Sequence, residues 1–366
     1  MKKYDVAAYI WPSYHYEPRA ERFWPEKDGE WYTVRRGTPR FPGHDMPRFP
    51  LLGCQDEADP AVAKQHVELA AKHGVNTFIM DWYWYENAPC FERQLNEGLI
   101  PALEGTDSKF FLMWANHDAD TLWDMHTDEH NPVWDGKVPR EQFEPMMERV
   151  IDKYFGLKSY YTIDGKPVFS VFAPGNLVVG LGGVAETKSA LDWLRKRVVE
   201  KGFPGIHIQF IVRRGGNAGP EAAAELRGVT CEELVRILEV DSGTSYQYVS
   251  DANYAAGDYV AWGAAAIAKW PEDEKHYPML FPHVSIGWDN TQRNPSVREA
   301  VVNSTPASFE AFLYRAKMYA DAHPEQPPLV TLNSWNEWTE GSYLLPDLRW
   351  GYGYLEAVKK VFLGGE

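Results

Sequence analysis

Short apolar runs alternate with segments of helical periodicity along the whole chain. Eight of the runs are β-like and cover residues 4–10, 75–81, 109–116, 167–172, 206–212, 240–246, 279–285 and 329–335. Each is followed by a segment with helical spacing or helix-end signals. The clearest sets Phe143, Met146, Met147, Val150, Ile151 and Tyr154 on one face, at the 3.6-residue period of a helix. Further helices are expected over residues 60–73, 91–103, 187–201, 257–269, 308–322 and 352–362, with another ending near Leu238. Asp59 suits the N-cap of the first, Pro60 its first turn and Gly74 its end. Residues 161–165 read as a small hairpin turning at Asp164-Gly165, and a Gly-rich loop precedes the helix at 187.

Apolar runs joined by helices imply parallel strands buried on both faces, and eight is the number that closes a barrel. The expected architecture is a single (β/α)8 TIM barrel over residues 1–366, with long loops after strands one and three and an insertion at about 11–59. Polar and aromatic residues fall after the runs. That is the C-terminal face of such a barrel, where its active sites are built.

Composition narrows the chemistry. A net charge of −15 leaves no basic surface for phosphate backbones, so nucleic acid is not an expected partner. No apolar stretch is long enough to span a membrane. The three cysteines, Cys54, Cys90 and Cys231, are scattered without zinc-ligand spacing. The N-terminus lacks a signal-like apolar stretch. The expectation is a cytoplasmic protein if Met1 is the native start, and otherwise a secreted or periplasmic one with its signal trimmed. Aromatic residues reach 14%, with 15 Trp and 20 Tyr. Such an excess suits a surface that stacks on sugar rings, whose C–H faces pack on aromatic faces.

The eighth run leads into Thr331–Asp347, TLNSWNEWTEGSYLLPD, where polar and aromatic side chains surround two carboxylates. Glycosidic hydrolysis uses two carboxyl groups, one to protonate the leaving oxygen and one as base or nucleophile. Glu337 and Glu340 are the catalytic candidates, with Trp335 and Trp338 placed to desolvate one of them and raise its pKa. Sugar-binding candidates are the other strand-end residues: Tyr9, Trp11 and His15 by strand one, Asp81, Trp82, Tyr83 and Trp84 by strand two, and Trp114 and Asn116 by strand three. Tyr246, Trp288, Asp289, Asn333, Asn336 and the same Trp335 and Trp338 complete the set after strands six to eight. Asp289 and Arg293 are polar rim candidates.

The acid- and His-rich stretch from His117 to His130 matches no metal-loop spacing and reads as a solvated lid; no metal or other cofactor is assigned. Arg213-Arg214-Gly215-Gly216 is a weak phosphate or acidic-sugar signal. No GxSxG motif is present.

The stretch WNEWTEGSYLLPD, with VNTFIMDWYWY, FFLMWAN, YTIDGKPVF and IGWDN, resembles the glycoside hydrolase family 99-like proteins, which include the WbsX-like proteins of bacterial polysaccharide loci. The resemblance runs from AYIWPSYH to GYGYLEAVK. It implies a (β/α)8 retaining enzyme that acts on an oligo- or polysaccharide without a metal. By the same resemblance Glu337 matches the base acting on the sugar's 2-hydroxyl, and Glu340 the general acid/base. The implied intermediate is a 1,2-anhydro sugar. The insertion at 11–59 and the loop 118–140 do not align with the family, so mannose specificity does not carry over. The alternatives are a glycosyltransferase of polysaccharide assembly, for which Asp118-Ala119-Asp120 is a formal DxD, and an inactive carbohydrate-binding barrel.

Overall fold

The computed structural model describes residues 3–213, 224, 226–252 and 256–364, the last two of the 226–252 stretch by backbone alone. Eight parallel strands form the barrel: Asp5–Ile10, Thr77–Tyr85, Lys109–Trp114, Lys166–Val171, His207–Ile211, Ser242–Thr244, a seventh in two pieces (Leu280–Phe281 and His283–Ser285), and Leu329–Asn333. Each pairs with its neighbours in sequence, and strand one pairs with strand eight through Ala8↔Leu332.

Strand seven closes the ring. Pro282 has no N–H to donate, so the ladder breaks there. The first piece pairs with strand six through Thr244↔Phe281, and the second with strand eight through His283↔Thr331. The Pro282 carbonyl still accepts from Thr331 N at 3.0 Å.

The expected elements form, with several boundary corrections. Strand two runs to Tyr85 rather than stopping at 81, because its aromatic end folds into a hairpin with Ala88–Cys90. The cluster expected beyond the strand is therefore strand itself, and its side chains alternate between two faces. The Gly-rich stretch expected as a loop contains a helix, Pro174–Leu181, which ends at Gly182 with φ 90°. The helix expected from 91 begins as a wide π-type turn at Gln94–Leu99 and continues as Ile100–Leu103. Of the helix expected to end near Leu238, Cys231–Ile237 is described; Arg214, Gly215 and Gly216 lie outside the described residues.

The strands are also less uniformly apolar inside than the runs suggest. Thr244 and His283 both bond Thr331, at 2.8 and 2.9 Å, and His207 bonds Ser242 at 2.7 Å. These buried polar groups partner one another. Burial pushes the His283 imidazole down to about 3, so it is neutral.

Helices jacket the barrel. The first, Pro60–Lys72, starts where expected: the Asp59 carboxylate accepts from Ala61 N and Val62 N. No helix among the described residues is long and apolar enough to cross a membrane. Asp59→Ala removes that cap and is expected to cost about 1 kcal/mol, read as a lowered denaturation midpoint; an unchanged midpoint would show that the cap contributes nothing here.

Candidate active site

The loop after strand eight turns back as a short hairpin, with Asn336↔Tyr343 and Glu337↔Ser342 facing each other. Gly341, at φ 62°, makes the turn that a Cβ would strain. The hairpin delivers Glu337 and Glu340 to the floor of a cavity of about 270 Å³ at the C-terminal ends of the strands. Both are buried, with 3% and 9% of their surface exposed.

Arg293, from the loop after strand seven, lies between them. Its Nη2 donates to Glu337 Oε2 at 3.2 Å and its Nη1 to Glu340 Oε1 at 2.7 Å. The rest of the guanidinium is taken by Glu30, through Nε at 2.6 Å and Nη2 at 3.0 Å. Glu30 is wholly buried and also accepts from Trp11 Nε1 and Ser13 Oγ. A fourth carboxyl, Asp81 of strand two, accepts from Tyr246 Oη at 2.8 Å, and the same hydroxyl reaches Glu337 Oε1 at 3.4 Å.

Among the described residues, Arg293 is the one cation bonded within this group of four acids. Burial raises the Glu337 pKa well above the usual range; Glu340's charge adds to this and Arg293 opposes it. Burial likewise raises Glu340 against Arg293's pull, and raises Asp81 against the hydroxyl of Tyr246. For Arg293 burial disfavours the charge, but Glu30, Glu337 and Glu340 outweigh it and hold the guanidinium protonated. Burial in a low-dielectric pocket and the mutual repulsion of the two glutamates favour the protonated forms of Glu337 and Glu340, against the pull of Arg293. Among the described residues, neither Glu340 Oε2 nor Asp81 Oδ1 has a hydrogen-bond partner.

Seven of the expected residues line this cavity: Trp11, Asp81, Tyr83, Tyr246, Trp288, Glu337 and Glu340. The others are held elsewhere, for reasons the strand geometry supplies. Trp82 and Trp84 alternate away from Asp81 and Tyr83; Trp82 Nε1 donates to Glu92 behind the barrel. Trp114 packs on Phe143 of the helix layer. Trp335 contacts His66 and Phe78, under the first helix. Trp338 stacks on Tyr343 at 3.9 Å.

The polar residues expected to touch sugar instead brace loops. Asn336 pairs with both the N–H and the carbonyl of Trp11 and donates to Glu57. Asn116 does the same with Ala173, and Asn333 accepts from Gln247. Asp289 holds His44 at 2.6 Å and the Thr291 turn. The His15 Nδ1 faces the Tyr16 carbonyl. Tyr9 supports Tyr246 edge-on at 4.8 Å.

Sequence reasoning missed Glu30 as the partner of Arg293, and Trp123, Phe172, Gln247 and Ser250 as cavity wall. Arg213 lies over the Phe172 ring at 4.4 Å and donates to Ser250 Oγ. The acidic lid is a hairpin, with Ala119–Asp120 paired to Pro132–Trp134. Asp118 is bound to Lys137 and Gly136 N, and Asp120 to Leu122 N and His130, so both DxD acids stabilise the hairpin. Among the described residues no three His, Cys, Asp or Glu side chains gather closely enough to hold a metal.

Comparison with known proteins agrees with this picture at the level of fold and family. A family model described as "Glycosyltransferase WbsX" matches residues 6–358. An uncharacterized protein WxcX of Xanthomonas campestris pv. campestris is 26% identical over 357 residues, which is 97% of this chain and 49% of that protein. The chain thus spans about half the length of the curated relatives it matches. A GH99 endo-α-mannosidase structure from Bacteroides thetaiotaomicron aligns with TM-score 0.60 and 13% identity, over 97% of this chain and 96% of that one. A structure described as a glycoside hydrolase-like protein aligns with TM-score 0.60 and 14% identity, over 99% and 94%.

Glu57, beneath the site, gives a pH test. It accepts from Asn336 and Gln94, has an unpartnered Oε1, and is pushed by burial from 4.5 up to about 8. A carboxyl raised in the folded state stabilises most below about pH 4.5, and that contribution is lost as pH rises through about 8. Glu57→Gln is expected to gain thermal stability relative to the parent across that window. A stability difference that stays constant with pH would contradict the assignment.

Proposed function

The chain belongs to the WbsX family, on a barrel that GH99 structures share, and on that premise we propose that it is a glycoside hydrolase acting on an oligo- or polysaccharide. The observation that carries this reading is the convergence of Glu337 and Glu340 on one buried guanidinium, at the floor of an aromatic-walled cavity. Two carboxyl groups, one acting as general acid and the other as base or nucleophile, are what cleavage of a glycosidic bond requires.

Glu340 is assigned as the acid. One of its oxygens is tied to Arg293 and the other is unpartnered, ready to carry the proton. It protonates the leaving oxygen as the anomeric C–O bond breaks. Both oxygens of Glu337 already accept hydrogen bonds, which suits a base better than a covalent nucleophile. On this assignment Glu337 takes the proton from the sugar's 2-hydroxyl while O2 attacks the anomeric carbon, giving a 1,2-anhydro sugar. Water then opens that ring at the anomeric carbon, giving a proton to Glu340, and Glu337 returns its proton to O2. Asp81 and Tyr246 face the sugar hydroxyls, and Trp11, Tyr83 and Trp288 face its C–H surfaces.

The family's printed description favours a second reading, a glycosyltransferase. A nucleotide-sugar donor brings a diphosphate that needs cations. The buried Arg293 is already shared among three carboxylates, and the DxD acids are engaged in the lid hairpin. Tight binding of a nucleoside diphosphate would revive this reading.

Glu340→Gln is expected to lower turnover by at least about a hundredfold, the scale of general acid catalysis, with glycan affinity retained. Full activity in that variant would overturn the assignment. In the parent, the alkaline limb of kcat/KM is expected above the ordinary carboxylate range, because burial favours the protonated acid; a limb at the ordinary value would contradict a desolvated acid.

A further inference from the structure

A short helix of the insertion, Trp31–Arg36, is seated on the hairpin that carries Glu337 and Glu340. Trp31 meets the Trp338 ring at 6.0 Å and the Tyr14 ring at 4.3 Å, and the Tyr14 hydroxyl accepts from Trp338 N at 3.1 Å. The turn before the helix is pinned as well. Gly29, at φ 63°, brings the chain so close to Ser13 that a Cβ would lie 1.8 Å from its carbonyl oxygen, and Glu30 N donates to that oxygen at 2.9 Å.

Glu30 stands at the N-cap of that helix, but its side chain makes no capping bond. It turns inward to Arg293. Oε1 accepts from Nε at 2.6 Å and Oε2 from Nη2 at 3.0 Å, a side-on fork that fixes the plane of the guanidinium. The free edge is thereby aimed at the hairpin, Nη2 at Glu337 and Nη1 at Glu340. Trp11 Nε1 and Ser13 Oγ hold Glu30 Oε2 from its other side. Glu30 is wholly buried and is not part of the cavity wall, so its carboxylate acts on the site through Arg293 and not on a sugar.

Resting on the hydrolase reading above, we infer that Glu30 is a positioning residue of the reaction, which fixes the Arg293 guanidinium between Glu337 and Glu340 and counters its charge. Arg293 draws both glutamates toward the ionised form, and Glu30 opposes it. Without Glu30 the guanidinium gives its whole charge to the pair and competes for the proton that Glu340 delivers to the leaving oxygen. The other titratable groups around the pair, among the described residues, are Asp81, Glu57, His117 and the hydroxyls of Tyr14, Tyr83 and Tyr246. Burial favours the uncharged form of each. Asp289, whose N–H donates to the Glu340 carbonyl, is paired with His44. The Glu30–Arg293 ion pair is therefore the charge pair that sets the balance at the hairpin.

The test uses the full chain with Glu30→Gln, which keeps the side chain's length and removes its charge, and Glu30→Asp, which keeps the charge and withdraws it by one methylene. On a glycan that the parent cleaves, Glu30→Gln is expected to move the alkaline limb of kcat/KM down by about one pH unit or more, the size of a neighbouring-charge effect. Glu30→Asp is expected to lower kcat at least about tenfold through the lost fork, with KM within about twofold of the parent. A second readout needs no substrate: the carboxyl resonances of isotope-labelled glutamate, assigned with Glu337→Gln and Glu340→Gln, should titrate at lower pH in Glu30→Gln than in the parent. A merely structural Glu30 would lower the denaturation midpoint and leave the limb and the titrations where they are, and that result overturns the inference. So does a Glu30→Asp variant with the parent's kcat, which decides the matter alone if Glu30→Gln does not fold. Failure of the parent to cleave any glycan overturns the hydrolase reading instead, and the titrations then still show whether Glu30 governs the pair.

Discussion

The site depends on a single buried cation. Arg293 is 3% exposed and gives hydrogen bonds to Glu30, Glu337 and Glu340. Burying a guanidinium costs several kcal/mol unless opposite charge and good geometry offset it. Three carboxylates supply that offset, and in return the cation limits how much like charge accumulates around Glu337. Glu30 belongs to the insertion after strand one, Arg293 to the loop after strand seven, and the glutamate pair to the hairpin after strand eight. The three segments must therefore be in place together, and the pocket walls follow: Trp11 donates to Glu30 and also forms part of the cavity.

Much of the barrel was legible because its signal is repetitive. Eight apolar runs, helix starts such as Asp59-Pro60 and the Asp164-Gly165 turn rest on local chemistry, and local chemistry is what a sequence displays. The break in strand seven was legible only in part. Pro282 was visible, but its consequence, one half pairing with strand six and the other with strand eight, is a tertiary fact.

The site was read less completely. The WNEWTEG stretch pointed to a carboxyl pair that the structure brings together, but its other members serve the scaffold: Asn336 clamps the Trp11 backbone and Trp335 packs under a helix. A run of aromatics does not reveal which face each one takes until the strand boundary is known. Once strand two is seen to extend through Tyr85, alternation sorts Tyr83 from Trp82 and Trp84. Glu30 carried no motif at all. The signal that could have found it is electrostatic: a buried acid pair needs a cation, Arg293 follows strand seven, and a buried arginine needs an acid of its own. A hydrolase and a nucleotide-sugar transferase differ in what receives the sugar, water or another hydroxyl, and the transferase needs a diphosphate site besides.

The identity of that acceptor is therefore the most direct measurement. The full chain would be incubated with a broad glycan and polysaccharide panel in heavy-oxygen water and the products read by mass spectrometry. Hydrolysis through Glu337 and Glu340 predicts one heavy oxygen at each newly formed reducing end, and no label with the Glu340→Gln variant. Unlabelled glycosyl transfer from a nucleotide sugar to a glycan, with no cleavage of any panel member, would contradict it.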